Sequence, residues 1–284
     1  MSMSSEATGA KPIAPDQATE QRVQRRRADY SSWLLPLAVL VVILAAWGTL
    51  PRWFNVPEYL IPSLPGTLRA VYQDVSSGFI FWHFGVTLTE TLTGFLLASA
   101  FGITFGALIA LVPAVEKAFA PYIYAFQALP KVALAPLLII WLGYGIQSKI
   151  LIAGLVAFFP VLVNVVAGVR ATDRRQLLLM QALGASTWQT FRMLRLPAAL
   201  PYIFAGLDIA IIFALIGAVV GEFVGSSVGL GSLVLQRQAT IDTAGVISVL
   251  VFLALMGIAF QVVLRFASRK YLFWARTDDI GRRH

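Results

Sequence analysis

Residues 181–201 read QALGASTWQTFRMLRLPAALP, a polar stretch between two long apolar runs. Gln181, Gln189, Arg192 and Arg195 interrupt it. Just upstream, residues 172–184 read TDRRQLLLMQALG. Thr172 can cap a helix there, Asp173 suits its positive end, and Gly184 suits the left-handed position past its C-terminus. A second helix is expected at once, because Ser186 and Gln189 have capping-box spacing. Along it Trp188, Phe191 and Leu194 share one face, while Gln189, Arg192 and Arg195 share another. Leu196-Pro197 is expected to stop this helix before the next apolar run. The stretch therefore reads as two short helices outside the bilayer. Trp188 and Phe191 either rest in the lipid interface, where Trp is common, or anchor a partner.

The flanking runs identify the solvent. The chain has 284 residues, 58% hydrophobic and only 13% charged, whereas soluble domains carry about 25% charged residues. Its mean hydropathy is +0.77. Residues 30–51, 91–115, 150–169 and 243–264 hold no charge at all, and about 20 apolar residues cross a bilayer as a helix. The fold class is an all-α integral membrane protein with six transmembrane helices. The spans are expected at 33–50, 87–111, 150–169, 199–221 and 243–264, with one broken crossing within 118–145. Pro121, Pro130 and Pro136 interrupt that last region. Residues 1–32 read as a disordered cytoplasmic tail, 33–270 as the membrane domain with the cytoplasmic loop 170–198, and 271–284 as a second tail. Leu68, Val71, Tyr72 and Val75 have the spacing of a short amphipathic helix on the membrane surface.

The net charge of +8 marks topology, and nucleic-acid binding is not expected. Lys11, Arg22, Arg25, Arg26 and Arg27 precede span 1. Arg170, Arg174, Arg175, Arg192 and Arg195 lie between spans 4 and 5. Arg265, Arg269, Lys270, Arg276, Arg282 and Arg283 follow span 6. The opposite side holds only Arg52, Arg69, Lys149 and Arg237. Basic loops stay cytoplasmic, so both termini and the 170–198 loop are expected inside. There are no cysteines, and the two histidines, His83 and His284, are isolated. No metal site, cofactor site or catalytic constellation is expected. The chain lacks any Gly-Lys pair, so it has no phosphate-cradling loop of the G-x-x-x-x-G-K-[ST] kind.

Polar groups within spans are costly and merit a functional hypothesis. Glu90, Asn164, Asp208, Glu222 and Gln261 are the candidates for a translocation pathway. Glu90 and Glu222 lie at span ends, where a headgroup-level carboxylate is the simpler reading. Asp208 lies near mid-depth, where a buried role is favoured. With no Lys or Arg inside spans 2, 4, 5 or 6, a bare anion is disfavoured and a neutral or heteroaromatic solute is accommodated. Gly94, Ala98, Gly102 and Gly106, each four apart, suit close helix packing.

Gly184, nine residues, Leu194, one residue and Leu196-Pro197 resemble the cytoplasmic loop of permease subunits in binding-protein-dependent ABC importers. ALPKVALAPLLIIWLGYGIQSKILI (128–152), FFPVLVNVVAGVRATD (158–173) and GEFVGSSVGLGSLV (221–234) are similar to the nitrate/sulfonate/taurine-type branch. The resemblance runs from about residue 60 to 270. It implies a homodimeric type I importer permease in the bacterial inner membrane, working with two copies of an ABC ATPase and a periplasmic solute-binding protein. ATP and Mg would then be bound by the ATPase. It also implies that Gly184, Ala185, Ser186, Trp188, Phe191, Arg192, Leu196 and Pro197 form the ATPase-docking, or coupling, loop. The family often begins this loop with Glu-Ala-Ala; here Leu178, Leu179 and Met180 stand there, so the contact made by the Glu is either missing or supplied by Asp173 or Gln181. The alternative is an ATP-independent secondary transporter using Glu90 and Asp208.

Overall fold

The computed structural model describes residues 35–49 and 53–272; the expected tail 1–32 and all of the expected tail 271–284 beyond Leu272 lie outside the described residues, and Tyr271 belongs to the last helix. Every regular element among the described residues is helical. The chain divides into two compact units at Leu64/Pro65. In the first, the apolar helix α1 spans Leu35–Thr49, and the Trp47 indole donates to the Pro62 carbonyl at 3.0 Å.

The second unit runs α2 (Leu64–Ser77), α3 (Phe79–Leu111), α4 (Pro113–Ala128), α5 (Ala135–Leu142) and α6 (Ile146–Arg170). It continues through α7 (Arg174–Ala182), α8 (Thr187–Thr190), α9 (Leu196–Gly225), α10 (Leu230–Ala239) and α11 (Thr243–Tyr271). Among the described residues, four helical runs are long and apolar enough to cross a membrane: Phe79–Leu111, Ile146–Arg170, Thr187–Gly225 and Thr243–Tyr271. The expected broken crossing resolves into two arms, Pro113–Ala128 and Lys131–Leu142, bent by 84°. Leu129 precedes Pro130 and is extended, at φ −70° and ψ 134°, as the proline ring requires.

α6 is the central post, packed against α3 on one side and α9 on the other. The approach is close because small residues repeat every fourth position. A Cβ on Gly94 would lie 2.7 Å from Ala153 Cβ, and one on Gly102 would lie 2.8 Å from Val161 Cβ. Gly217 of α9 meets the same Ala153, with its added Cβ 2.7 Å from Ala153 Cα. Within a bilayer such contact supplies dispersion where apolar burial supplies little. The Gly94–Gly106 stripe is thus the α3–α6 seam. An ion pair between Glu116 and Arg170 joins α4 to the far end of α6.

The expected amphipathic helix at 68–75 forms, with its apolar stripe outward. Leu68, Tyr72 and Val75 are exposed on α2, whereas Asp74 and Thr67 are buried. Arg237 of α10 grips the Asp74 carboxylate with both terminal nitrogens, one at 2.9 Å. The Ser248 hydroxyl of α11 donates to Asp74 at 2.6 Å. The apolar stripe remains outward because a buried ion pair fastens the other face.

Candidate functional site

The polar cassette folds as local chemistry dictates, with two corrections. Asp173, not Thr172, caps α7, accepting the Arg175 amide at 2.8 Å; the Thr172 hydroxyl instead donates to Val169 at 3.1 Å. Gly184 takes the left-handed conformation, φ +71°, that ends a helix without a Cβ penalty. Ser186 and Gln189 then close a complete capping box: Gln189 N donates to Ser186 Oγ at 3.2 Å and Ser186 N to Gln189 Oε1 at 2.8 Å.

The second correction concerns Leu196-Pro197, which does not stop the helix. Thr187–Gly225 is one continuous run of 39 residues, about 58 Å long at 1.5 Å per residue. A π turn at Phe191–Arg195 makes this possible. The Leu196 amide donates to Phe191 O, five residues back, and Pro197 follows at the start of α9, where its missing N–H falls at the widened turn. Trp188 stacks on Phe191 with ring centroids 5.7 Å apart, and Trp188 stays 66% exposed. Both Arg192 and Met193 are also exposed. The cassette therefore presents an aromatic pair on a short helix that is mechanically one piece with a membrane-length helix.

At the opposite end of the bundle the structure brings together residues the sequence holds far apart. Glu222, near the end of α9, is fully buried. Its carboxylate accepts from the backbone of Gly231 and, at 3.4 Å, of Ser232. It thereby caps α10, whose positive end favours an anion. The Thr87 hydroxyl of α3 donates to Glu222 Oε1 at 2.6 Å and accepts from the Leu230 amide at 2.8 Å. His83 Nδ1, one turn earlier, lies 3.1 Å from the Gly229 amide and 3.0 Å from its carbonyl. Gly229 sits at φ +108°, and a Cβ there would fall 2.2 Å from Glu222 Oε1; only glycine fits.

Glu90 follows Thr87 on α3 and is 1% exposed. One carboxyl oxygen, Oε2, has no hydrogen-bond partner among the described residues. Lys149, at the start of α6, is 2% exposed. Its ammonium donates to the carbonyls of Tyr144 and Gly145, the latter at 3.1 Å. Glu90 and Glu222 are thus enclosed by protein. Lys149, counted above as a loop charge, is a buried cation within helix α6. Glu90 and Lys149 line one side of a cavity of about 690 Å³, shared with Trp82, Tyr144, Ser226 and Ser227.

The remaining pathway candidates lie elsewhere. Asn164 is half-buried and donates to Pro160 O within its own helix at 2.8 Å, pressed against Gly206. Asp208, two residues further along α9, is half-buried, and its Oδ1 has no partner among the described residues. Gln261 is half-buried on α11. Sequence reasoning missed His83 and Thr87 as cross-links, and Asp74, Arg237 and Ser248 as a clamp, because every one of these contacts is long-range. Among the described residues no group of His, Asp and Glu could hold a metal ion.

Residues 102–272 match the family described as "Binding-protein-dependent transport system inner membrane component". The chain is 34% identical over 249 residues to the riboflavin transport system permease protein RibX of Chloroflexus aurantiacus, covering 88% of this chain and 92% of that one. It is 35% identical over 226 residues to the formylaminopyrimidine transport permease protein ThiX of Halalkalibacterium halodurans, covering 79% and 89%. With the taurine transport system permease protein TauC of Escherichia coli it shares 28% over 245 residues, covering 84% and 89%. Among solved structures, an inward-facing MetNI methionine ABC transporter chain superposes with a TM-score of 0.61 at 20% identity, over 68% of this chain and 95% of that one. The exposed cassette on a membrane-length helix and these likenesses agree: the chain belongs to the binding-protein-dependent transport system inner membrane components, and is a multi-pass inner-membrane permease subunit of an ABC importer.

Proposed function

We propose that this permease crosses the membrane six times with both termini cytoplasmic, and that a cytoplasmic ATPase drives it through the 170–198 loop. The basic residues of that loop and of the chain ends support the orientation. α1 and the bent α4–α5 pair supply the two crossings beyond the four long helices. Two ATPase copies, carrying the ATP and Mg, and a second permease copy complete the assembly, which a periplasmic solute-binding protein loads from outside.

The observation that carries this reading is the continuity of Thr187–Gly225. Gly184, Ala185, Ser186, Trp188, Phe191, Arg192, Leu196 and Pro197 form the docking element, with Trp188 and Phe191 as its aromatic anchor. A capped helix end welded to α9 by the π turn transmits a push at Trp188 as a rigid displacement of the whole helix. Closure of the ATPase dimer thus rocks α9 against α6, across the small-residue seam at Ala153 and Gly217, and opens the passage outward. The passage candidates are Glu90, Asn164, Asp208, Glu222 and Gln261.

The cargo is a small solute of the class carried by the relatives, from sulfonates and taurine to riboflavin and a formylaminopyrimidine. Uptake into proteoliposomes holding the complete transporter tests the reading. It requires internal or external ATP on the cassette side and is indifferent to a proton gradient. Uptake that follows the proton gradient without ATP would instead establish a secondary transporter built on Glu90 and Asp208.

A further inference from the structure

The bent α4–α5 crossing carries a cation near mid-membrane. Lys131 stands at the break itself, after Pro130 and at the start of the second arm, Lys131–Leu142. Its ammonium lies 4.8 Å from the centre of the Phe159 ring, within reach of a cation–π contact. Phe159 falls 13 residues after Ile146 and 11 before Arg170, the ends of α6. At 1.5 Å per residue its level is about 20 Å from one end and about 17 Å from the other, well inside a hydrocarbon core about 30 Å thick.

An ammonium has three N–H donors. One goes to the Gln127 carbonyl at 3.2 Å. The other two have no partner among the described residues, where no carboxylate comes within 4.0 Å of this side chain. Lys131 is half-buried, and a cation with free donors at this depth is costly against lipid tails. Beside it runs a groove of about 530 Å³ between α3, α4 and α6, lined by aromatic rings that include Phe119, Tyr122, Phe126 and Phe159. Phe126 stacks on Phe159 with centroids 6.3 Å apart, and Phe119, Tyr122 and Phe126 are each more than half exposed. One charged group thus stands beside an aromatic surface of small-molecule size, about 300–1,000 Å³. The positive end of the second arm adds to the same charge.

We propose that the break at Lys131 is a solute-contact site of the permease itself, and that it takes organic anions. A sulfonate or carboxylate accepts the two free ammonium N–H groups while an aromatic or aliphatic body lies along the groove. The proposal rests on the reading above that two permease copies enclose a passage, which keeps this face from lipid. Lys131 then favours the acidic members among the solutes of that class.

The test uses the complex of the permease with its ATPase in nanodiscs of phosphatidylcholine, a lipid without net charge. Equilibrium dialysis compares radiolabelled benzenesulfonate with its neutral isostere, benzenesulfonamide. The sulfonate binds, and the sulfonamide binds about tenfold more weakly. Lys131→Gln weakens sulfonate binding about tenfold, Lys131→Arg retains it, and the affinity for the sulfonamide is the same in all three proteins. A wild type that brings down no ATPase fails the importer reading, whereas one that brings it down yet binds both probes alike fails this proposal alone. Should Lys131→Gln not fold, as its melting midpoint would show, the isostere comparison and Lys131→Arg still decide. Sulfonate binding equal in wild type and Lys131→Gln, or absent at millimolar concentration, overturns the proposal. Loss of the two-copy assembly in a folded Lys131→Gln also overturns it, because the ammonium would then serve a carboxylate of the second copy.

Discussion

The Thr87 hydroxyl donates to Glu222 Oε1 at 2.6 Å, joining α3 to α9 across 135 residues of sequence. Thr87 Oγ1 also accepts the Leu230 amide, so one threonine ties three helices. Thr87→Val keeps the shape and removes both bonds, leaving Glu222 Oε1 and the Leu230 amide without them. The expected cost is about 1–3 kcal/mol. It should be read as a lower midpoint of thermal unfolding in detergent, with faster amide exchange at Leu230 and Gly231. Unaltered exchange there would show that the bond does not hold α10 in place.

Asp74 anchors α2 through Arg237 and Ser248. Asp74→Ala leaves the mostly buried Arg237 guanidinium with the Gly245 carbonyl at 2.7 Å and Asp242 at 4.0 Å, which should cost about 2 kcal/mol. The released helix then frays around Arg69, which is already exposed, and tryptic cleavage there speeds up. The double variant Asp74→Ala/Arg237→Leu removes that charge and should recover part of the lost stability.

Gly217 abuts the Ala153 backbone. Gly217→Val forces α6 and α9 apart and should destabilise by about 1–3 kcal/mol. Gly257→Ala serves as the control. A Cβ at Gly257 meets nothing nearer than 3.6 Å, so thermal melts of the two variants should diverge.

The absence of cysteine makes topology directly measurable. A membrane-impermeant maleimide added to intact cells should label Thr240→Cys at once, and Met193→Cys only after permeabilisation. Both positions are exposed. Labelling of Met193→Cys from outside would reverse the orientation.

The cassette was legible in the sequence because its signals are local. A capping box spans four residues, and a left-handed glycine needs no distant neighbour, so Ser186, Gln189 and Gly184 read correctly. Pro197 misled because a proline is read as a helix stop, whereas a π turn just before it absorbs the missing donor and carries the helix through. Glu222 and Lys149 read as terminal charges because hydropathy places them near span ends; only packing shows that α10 folds back over one and that the Tyr144 and Gly145 carbonyls take the other. Asp74 was hidden for a similar reason. The apolar stripe of its helix says nothing of what the polar face meets, and only packing brings Arg237 to it. Pairings across more than a hundred residues leave no periodic trace, so the polar network at the far end of the bundle emerges from the structure alone.

The central claim is that the capped, aromatic-bearing helix at Thr187–Arg195 is where an ATPase pushes. Its most direct test is gentle solubilisation of the tagged chain from its native membrane, beside a Trp188→Glu variant, identifying what co-purifies. Trp188 is largely exposed, so the variant keeps the wild-type melting midpoint. An ATPase retained by the wild type and lost from the folded variant is the predicted result. Equal retention by both, or no ATPase even with ATP or vanadate present, would contradict it.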